Sequence, residues 1–314
     1  MKLFYIVLII LAVLVLLALL LTYFCFYLTF YVPRRKKKDT EEYSLPPGKI
    51  YEPYRDKMIS WMKEVRSMSC EDVSIQSFDG LTLRGKYYET CPGAPIELMF
   101  PGYRGDAERD LCGGVQRCFA LGRNALIVDQ RAGGASDGHI ITFGIKEHRD
   151  CLSWIDFVIE HYGKDVKIIL TGISMGAATV IMAAGKPLPK NIIGVLADCG
   201  YTSPKNIIKK VIHQIKLPAN LLYPFVKLAA KLFGGFNLEE FSPIEAIKKC
   251  SVPIILFHGE ADDYVPCEMS QSNYDACFGT KRLVTVPNAG HGLSYLVAPE
   301  NYLSALKEFF EPIV

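Results

Sequence analysis

The chain has 314 residues, half of them hydrophobic, and a net charge of +2. That length fits one large domain with an appendage, and with only 22% charged residues the composition excludes a largely disordered chain. Lys2 and the run Arg34–Lys38 hold six positive charges; with those set aside, 29 of the 35 basic residues stand against 33 acidic ones. A mildly acidic folded part without a basic stripe excludes nucleic acid as the expected partner. The ten cysteines show no Cys-x-x-Cys and no paired ligand spacing, which reads as buried, reduced thiols in a reducing compartment.

From Leu3 to Val32 there is no charged residue. A bilayer-crossing helix needs roughly 20 apolar residues, whereas a cleavable signal has a core of about 7–15 and a small-x-small site, absent here. The aromatics from Tyr23 to Tyr31 suit a membrane–water interface. The sequence therefore predicts an uncleaved transmembrane anchor over 1–33. The five basic residues after it outweigh Lys2 before it, which predicts a cytoplasmic position for the rest and a seat on anionic headgroups. Residues 34–50, with Pro46, Pro47 and Gly48, read as a basic juxtamembrane tether, leaving 51–314 as the folded domain.

Beyond the tether, strand and helix patterns alternate, which predicts an α/β domain with a mostly parallel sheet covered on both faces. Residues 51–68 look helical. Val73–Phe78 and Thr82–Tyr88 flank Asp79-Gly80 as a hairpin. Strands follow at Ile96–Phe100, Ala125–Val128, Val166–Leu170, Ile192–Leu196, Ile254–Phe257 and Leu283–Val286. Helical patterns occupy Glu108–Leu121, Lys146–Tyr162, Ala177–Ala184 and Pro299–Phe310. Between the strands at Ile192 and Ile254 lies a helical insertion over 203–248, with helices at Lys205–Gln214 and Pro218–Phe233. The second helix has a broad apolar face, which suits a lid over a site at the carboxyl ends of the strands.

The strand Val166–Leu170 runs into Gly172-Ile173-Ser174-Met175-Gly176 and then a small-residue helix. Strand, Gly-x-Ser-x-Gly and helix form a nucleophile elbow: the turn is tight, and the hydroxyl is left at its tip beside a helix N-terminus. Ser174 is the candidate nucleophile. A serine hydroxyl needs a base, expected late in the chain. His291, in Asn288-Ala289-Gly290-His291-Gly292 after the last strand, is that candidate. The orienting acid should follow the preceding strand, in His258-Gly259-Glu260-Ala261-Asp262-Asp263. Asp262 fits best and Asp263 is its rival. For an oxyanion, two backbone amides are the candidates: Met175, after the nucleophile, and Tyr103, in Pro101-Gly102-Tyr103-Arg104-Gly105. Metal-ligand spacing, a Walker loop and a dinucleotide fingerprint are absent from the sequence, so no metal or cofactor is expected. His139, His148, His161 and His213 read as surface or helix-face residues.

Gly172–Gly176, Asp129-Gln130-Arg131, His258-Gly259-x-x-Asp262-x-x-Val265-Pro266 and Gly290-His291 together resemble the α/β-hydrolase superfamily, and among its members bacterial membrane-anchored Bem46-like, serine-aminopeptidase-like hydrolases. Asp198–Ser203 is similar to the run before their lid. The resemblance covers about residues 70–312. It implies an eight-stranded core, no cofactor and a Ser-Asp-His triad, which falls on Ser174, Asp262 and His291. One departure is Pro101-Gly102 where many relatives have His-Gly. The expected activity is hydrolysis of a carboxylic ester or thioester with a hydrophobic acyl group, on a small-molecule or lipid-like substrate. Release of N-terminal residues from peptides is the alternative, with Glu239, Glu240 or Glu245 of the lid holding the substrate amine; an inactive membrane scaffold is the remaining one.

Overall fold

A computed structural model describes residues 1–33 and 43–312. The basic run Arg34–Lys38, and with it the first part of the expected tether, lies outside the described residues. The chain opens with helix α1 (Lys2–Thr29). A 3-10 turn at Lys49–Tyr54 leads into α2 (Arg55–Ser67). Then come β1 (Glu71–Gln76), β2 (Thr82–Tyr88), β3 (Ile96–Phe100), α3 (Ala107–Ala120), β4 (Asn124–Val128), α4 (Glu147–Tyr162), β5 (Ile168–Ile173), α5 (Met175–Ala184) and β6 (Ile192–Asp198). The insertion carries α6 (Pro204–Gln214), α7 (Ala219–Leu232) and α8 (Pro243–Ile247). The chain closes with β7 (Ile254–Gly259), α9 (Cys267–Ala276), β8 (Lys281–Val286), α10 (Ser294–Val297) and α11 (Pro299–Phe310).

The eight strands form one sheet in the order β1-β2-β4-β3-β5-β6-β7-β8. β1 and β2 pair antiparallel, as do β2 and β4, and every later pairing is parallel. Every residue of β3 and β4 is buried, as expected for parallel strands covered on both faces. The two-residue period splits β5 between layers: Ile168 and Leu170 pack with α4, α5 and the insertion, whereas Ile169 packs with α11. α2 and α3 pack together over Met99, Ala125 and Ile127.

Several boundaries differ from the pattern reading. The first strand of the hairpin ends two residues earlier, at Gln76, where the Ser77 side chain shapes the turn: its Oγ donates to Asp79 (2.8 Å) and accepts from the Leu81 amide (2.8 Å). α8, α9 and α10 had no clear signal; two of them are five residues or fewer, and α9 is largely polar. His148 is a correction of emphasis: it lies on the buried face of α4, with Nδ1 2.9 Å from the Gly144 carbonyl, and burial lowers its pKa.

The end of α1 belongs to the packed body. Thr22, Cys25, Phe26 and Phe30 are buried, and Phe30 touches the rings of Phe143 and Phe236. Ile141 N–H donates to the Phe30 carbonyl (2.9 Å), and Val32 N–H to the His139 carbonyl (2.8 Å). From Met1 to Leu20 every residue is exposed.

The apolar strand β3 hides a fully buried carboxylate. Glu97 accepts from Arg117 (2.5 Å), Arg123 (2.7 Å) and Thr171 (3.1 Å). Burial alone would raise its pKa, but the two guanidinium groups outweigh that and hold it at about 2. Replacing one member of such a group leaves uncompensated buried charge. Glu97→Gln is expected to lose about 3–5 kcal/mol of stability at neutral pH, read by urea unfolding in detergent. Because the folded-state pKa is depressed, the carboxylate's contribution is complete above its ordinary 4.5 and lost as pH falls towards about 2. The gap between wild type and variant should close over that window.

Candidate active site

Ser174 sits where β5 turns into α5, with φ +56° and ψ −114°. A β-carbon-bearing residue is strained there. The turn is held from both sides: Ser174 N–H donates to the Asp198 carbonyl (2.8 Å), and Ala178 N–H to the Ser174 carbonyl (3.1 Å). The flanking glycines are required by contact. A β-carbon on Gly172 would lie 2.1 Å from the Gly176 carbonyl oxygen, and one on Gly176 would lie 2.0 Å from that of Phe100.

The structure brings three of the predicted residues together. His291 Nε2 lies 2.9 Å from Ser174 Oγ, and its Nδ1 lies 2.7 Å from Asp262 Oδ2. Asp262 comes to the histidine, while its rival Asp263 is exposed and offers its carbonyl to Lys210 and Gln214. Glu260 is exposed and accepts from Thr285. Asp262 Oδ1 accepts from the amides of Tyr264 (3.0 Å) and Val265 (2.9 Å). Burial would raise its pKa; hydrogen bonds from His258 and His291 reverse that and bring it to about 2. The carboxylate is thus charged and oriented at neutral pH, with Oδ2 facing both His291 and His258.

The loop after β3 passes beside the serine. A β-carbon on Gly102 would lie 3.6 Å from Ser174 Cβ. Met175 is the first residue of α5, so its N–H has no partner within the helix. The Tyr103 side chain turns away from the sheet: its hydroxyl donates to the Thr29 carbonyl (2.8 Å) and its ring lies against Phe143.

Four supporting residues escaped the sequence reading. Asp110, half-buried on α3, accepts from the Gly102 amide (3.1 Å) and from Arg109 Nε (2.7 Å). Gln130 donates to the Pro101 carbonyl (2.7 Å) and accepts from Thr179 (3.0 Å), tying the same loop to α5. Tyr51 donates to the His291 carbonyl (3.0 Å). His258 is fully buried behind Asp262, with Nε2 3.3 Å from Oδ2 and 2.8 Å from the Val265 carbonyl, and Nδ1 2.6 Å from Ser270 Oγ. Gln130 and His258 lie within motifs that carried the family resemblance; Asp110 and Tyr51 had no sequence signal, since long-range folding alone gives them their partners.

The ligand atoms of Cys199, Asp262 and His291 lie within 4.8 Å of one another, so this trio could meet a soft metal ion. Asp262 and His291 are already bonded to each other, and burial pushes the Cys199 thiol well above its usual range.

No family model matches the chain. Among curated proteins it is similar to YqkD of Bacillus subtilis, an uncharacterized protein, with 29% identity over 192 residues, 61% of this chain. That alignment spans 63% of YqkD, less than two thirds of its length. Among solved structures it is similar to the esterase Pf2001 of Pyrococcus furiosus, with a TM-score of 0.66 and 24% identity over 86% of this chain and 97% of that one. It is also similar to the α/β-hydrolase GrgF of Penicillium sp. sh18, with a TM-score of 0.62 and 18% identity over 78% of this chain and 99% of that one. The fold is that of the α/β-hydrolases.

The strain at Ser174 gives a stability test. Ser174→Gly removes the β-carbon, and relief of strain should exceed the entropy glycine adds to the unfolded chain. Ser174→Gly is expected to be more stable than Ser174→Ala by about 1 kcal/mol in urea unfolding.

Proposed function

We propose that the chain is a membrane-anchored serine hydrolase that cleaves a carboxylic ester or thioester. The observation that carries the reading is the continuous hydrogen-bonded line from Ser174 Oγ through His291 to Asp262. As the oxygen of Ser174 attacks the acyl carbon, its proton passes to His291 Nε2. The charge that develops on the acyl oxygen is met by the amides of Met175 and Tyr103. Asp262 steadies the imidazolium. His291 returns the proton to the leaving alcohol or thiol as the acyl bond breaks. Water then attacks the acyl-enzyme while His291 takes its proton, and the acid and free serine are released.

A peptidase that holds a substrate amine on the lid is less well supported. Glu239 is already engaged by Lys227, Lys205 and Tyr223, and Glu245 pairs with Lys248. The anchor reading is supported by α1 itself, which is long and apolar enough to cross a bilayer. Cleaving it as a signal would strip Phe26 and Phe30 from the core. The basic run Arg34–Lys38 favours a cytoplasmic catalytic domain. The anchor and the apolar insertion favour a hydrophobic acyl group.

Ser174→Ala should abolish labelling by a fluorophosphonate probe together with ester hydrolysis; labelling that survives would sink the assignment. Asp262→Asn should retain the fold but lose about 10⁴-fold in kcat, because the histidine is then held in the wrong tautomer. In a series of acyl esters, turnover should rise with chain length, and fastest turnover on acetyl would count against a hydrophobic acyl group.

A further inference from the structure

The apolar face of α7 divides in two. Tyr223, Val226, Ala229 and Ala230 are buried against the body. Leu221, Leu228 and Leu232 lie within about 40° of arc on another side of the helix. All three are exposed, Leu221 by 65%. Ile215 and Leu217, in the turn between α6 and α7, extend this apolar edge and are 61% and 45% exposed. Between Ser203 and Leu238 the sequence holds six lysines and no aspartate or glutamate; Lys205 and Lys227 pair with Glu239, just beyond this stretch, and Lys209, Lys210, Lys216 and Lys231 carry the remaining charge. An apolar edge within a purely basic segment is complementary to an anionic bilayer surface.

The position of α1 brings that edge to the membrane. Its exposed stretch from Lys2 to Leu20 rises about 28 Å, close to the roughly 30 Å thickness of a hydrocarbon core. The next turns are packed on the protein: Tyr23 and Phe26 meet Phe233, just past the end of α7, at ring distances of 5.4 and 5.7 Å. Phe233 therefore lies about 4–9 Å along the helix beyond Leu20, at headgroup depth.

We infer that the α6–α7 hairpin is a second membrane-binding element. Its leucine edge enters the boundary between headgroups and acyl chains of an anionic leaflet, and Lys209, Lys210, Lys216 and Lys231 meet the phosphates. The inference rests on the reading of α1 as a membrane anchor, and one experiment separates the two. The full chain, carrying either Leu228→Trp or Leu11→Trp, is reconstituted into phosphatidylcholine–phosphatidylglycerol vesicles. Some vesicles contain lipids brominated near the headgroup, others lipids brominated near the chain end. Tryptophan emission is read as the increment over the parent chain. The Leu228→Trp increment should fall at least about twofold with shallow bromine, and the Leu11→Trp increment should respond most to deep bromine. Omitting phosphatidylglycerol should weaken the shallow quenching, and quenching that ignores it would overturn the part given to the lysines. A Leu228→Trp increment untouched by bromine but quenched by aqueous iodide, with Leu11→Trp quenched by lipid, would overturn the inference and leave the anchor standing. If neither responds to lipid, both fall.

Discussion

The site depends on a close approach of backbone to backbone. At the ends of β3 and β5 the chain leaves no room for a side chain: Gly176 lies against the Phe100 carbonyl, and Gly172 against Gly176 itself. That approach sets the sharp bend at Ser174, puts the serine at the mouth of the sheet and lays the Gly102 loop beside it. The proposed acyl chemistry needs nucleophile and oxyanion donors within a few ångströms of one acyl carbon, and the two glycines make this possible.

Around that bend, each proposed reactive group is held by neighbours that do not react. Asp262 is fixed by two amides and a buried histidine, His291 by Tyr51 through its carbonyl, and the Gly102 loop by Asp110 and Gln130. A mobile imidazole would visit the serine only part of the time, whereas these bonds keep it in one orientation before substrate arrives.

The fold class and the three central residues were legible because they rest on local patterns: a buried strand running into Gly-x-Ser-x-Gly, and a glycine-flanked histidine after the last strand. Asp262 was favoured by its place between Gly259 and Val265-Pro266, with Asp263 left as a rival; the contact of Asp262 Oδ2 with His291 Nδ1 separates the two. The roles of Asp110 and Tyr51 were not legible, because their partners lie elsewhere along the chain. Glu97 was hidden for a related reason. One acid in Ile96–Phe100 does not disturb an apolar strand pattern, and only folding brings Arg117 and Arg123 to it. The division of α7's apolar residues into a buried and an exposed side was not legible, because periodicity registers hydrophobicity without saying what covers it.

The join between α1 and the body bears on reach. Arg104 bonds the carbonyls of Leu28 and Tyr31, Tyr103 bonds that of Thr29, and a β-bridge links Tyr31 to Ile140. The body is therefore seated directly on the end of the helix. A protein on a long flexible leash sweeps a volume and meets targets at many heights; one mounted on a stiff post works at a single elevation. On the proposed reading of α1 as an anchor and of the site as a hydrolase, a substrate has to be presented at that level, so the placement of its scissile bond relative to its surroundings becomes a criterion of selection alongside its chemistry.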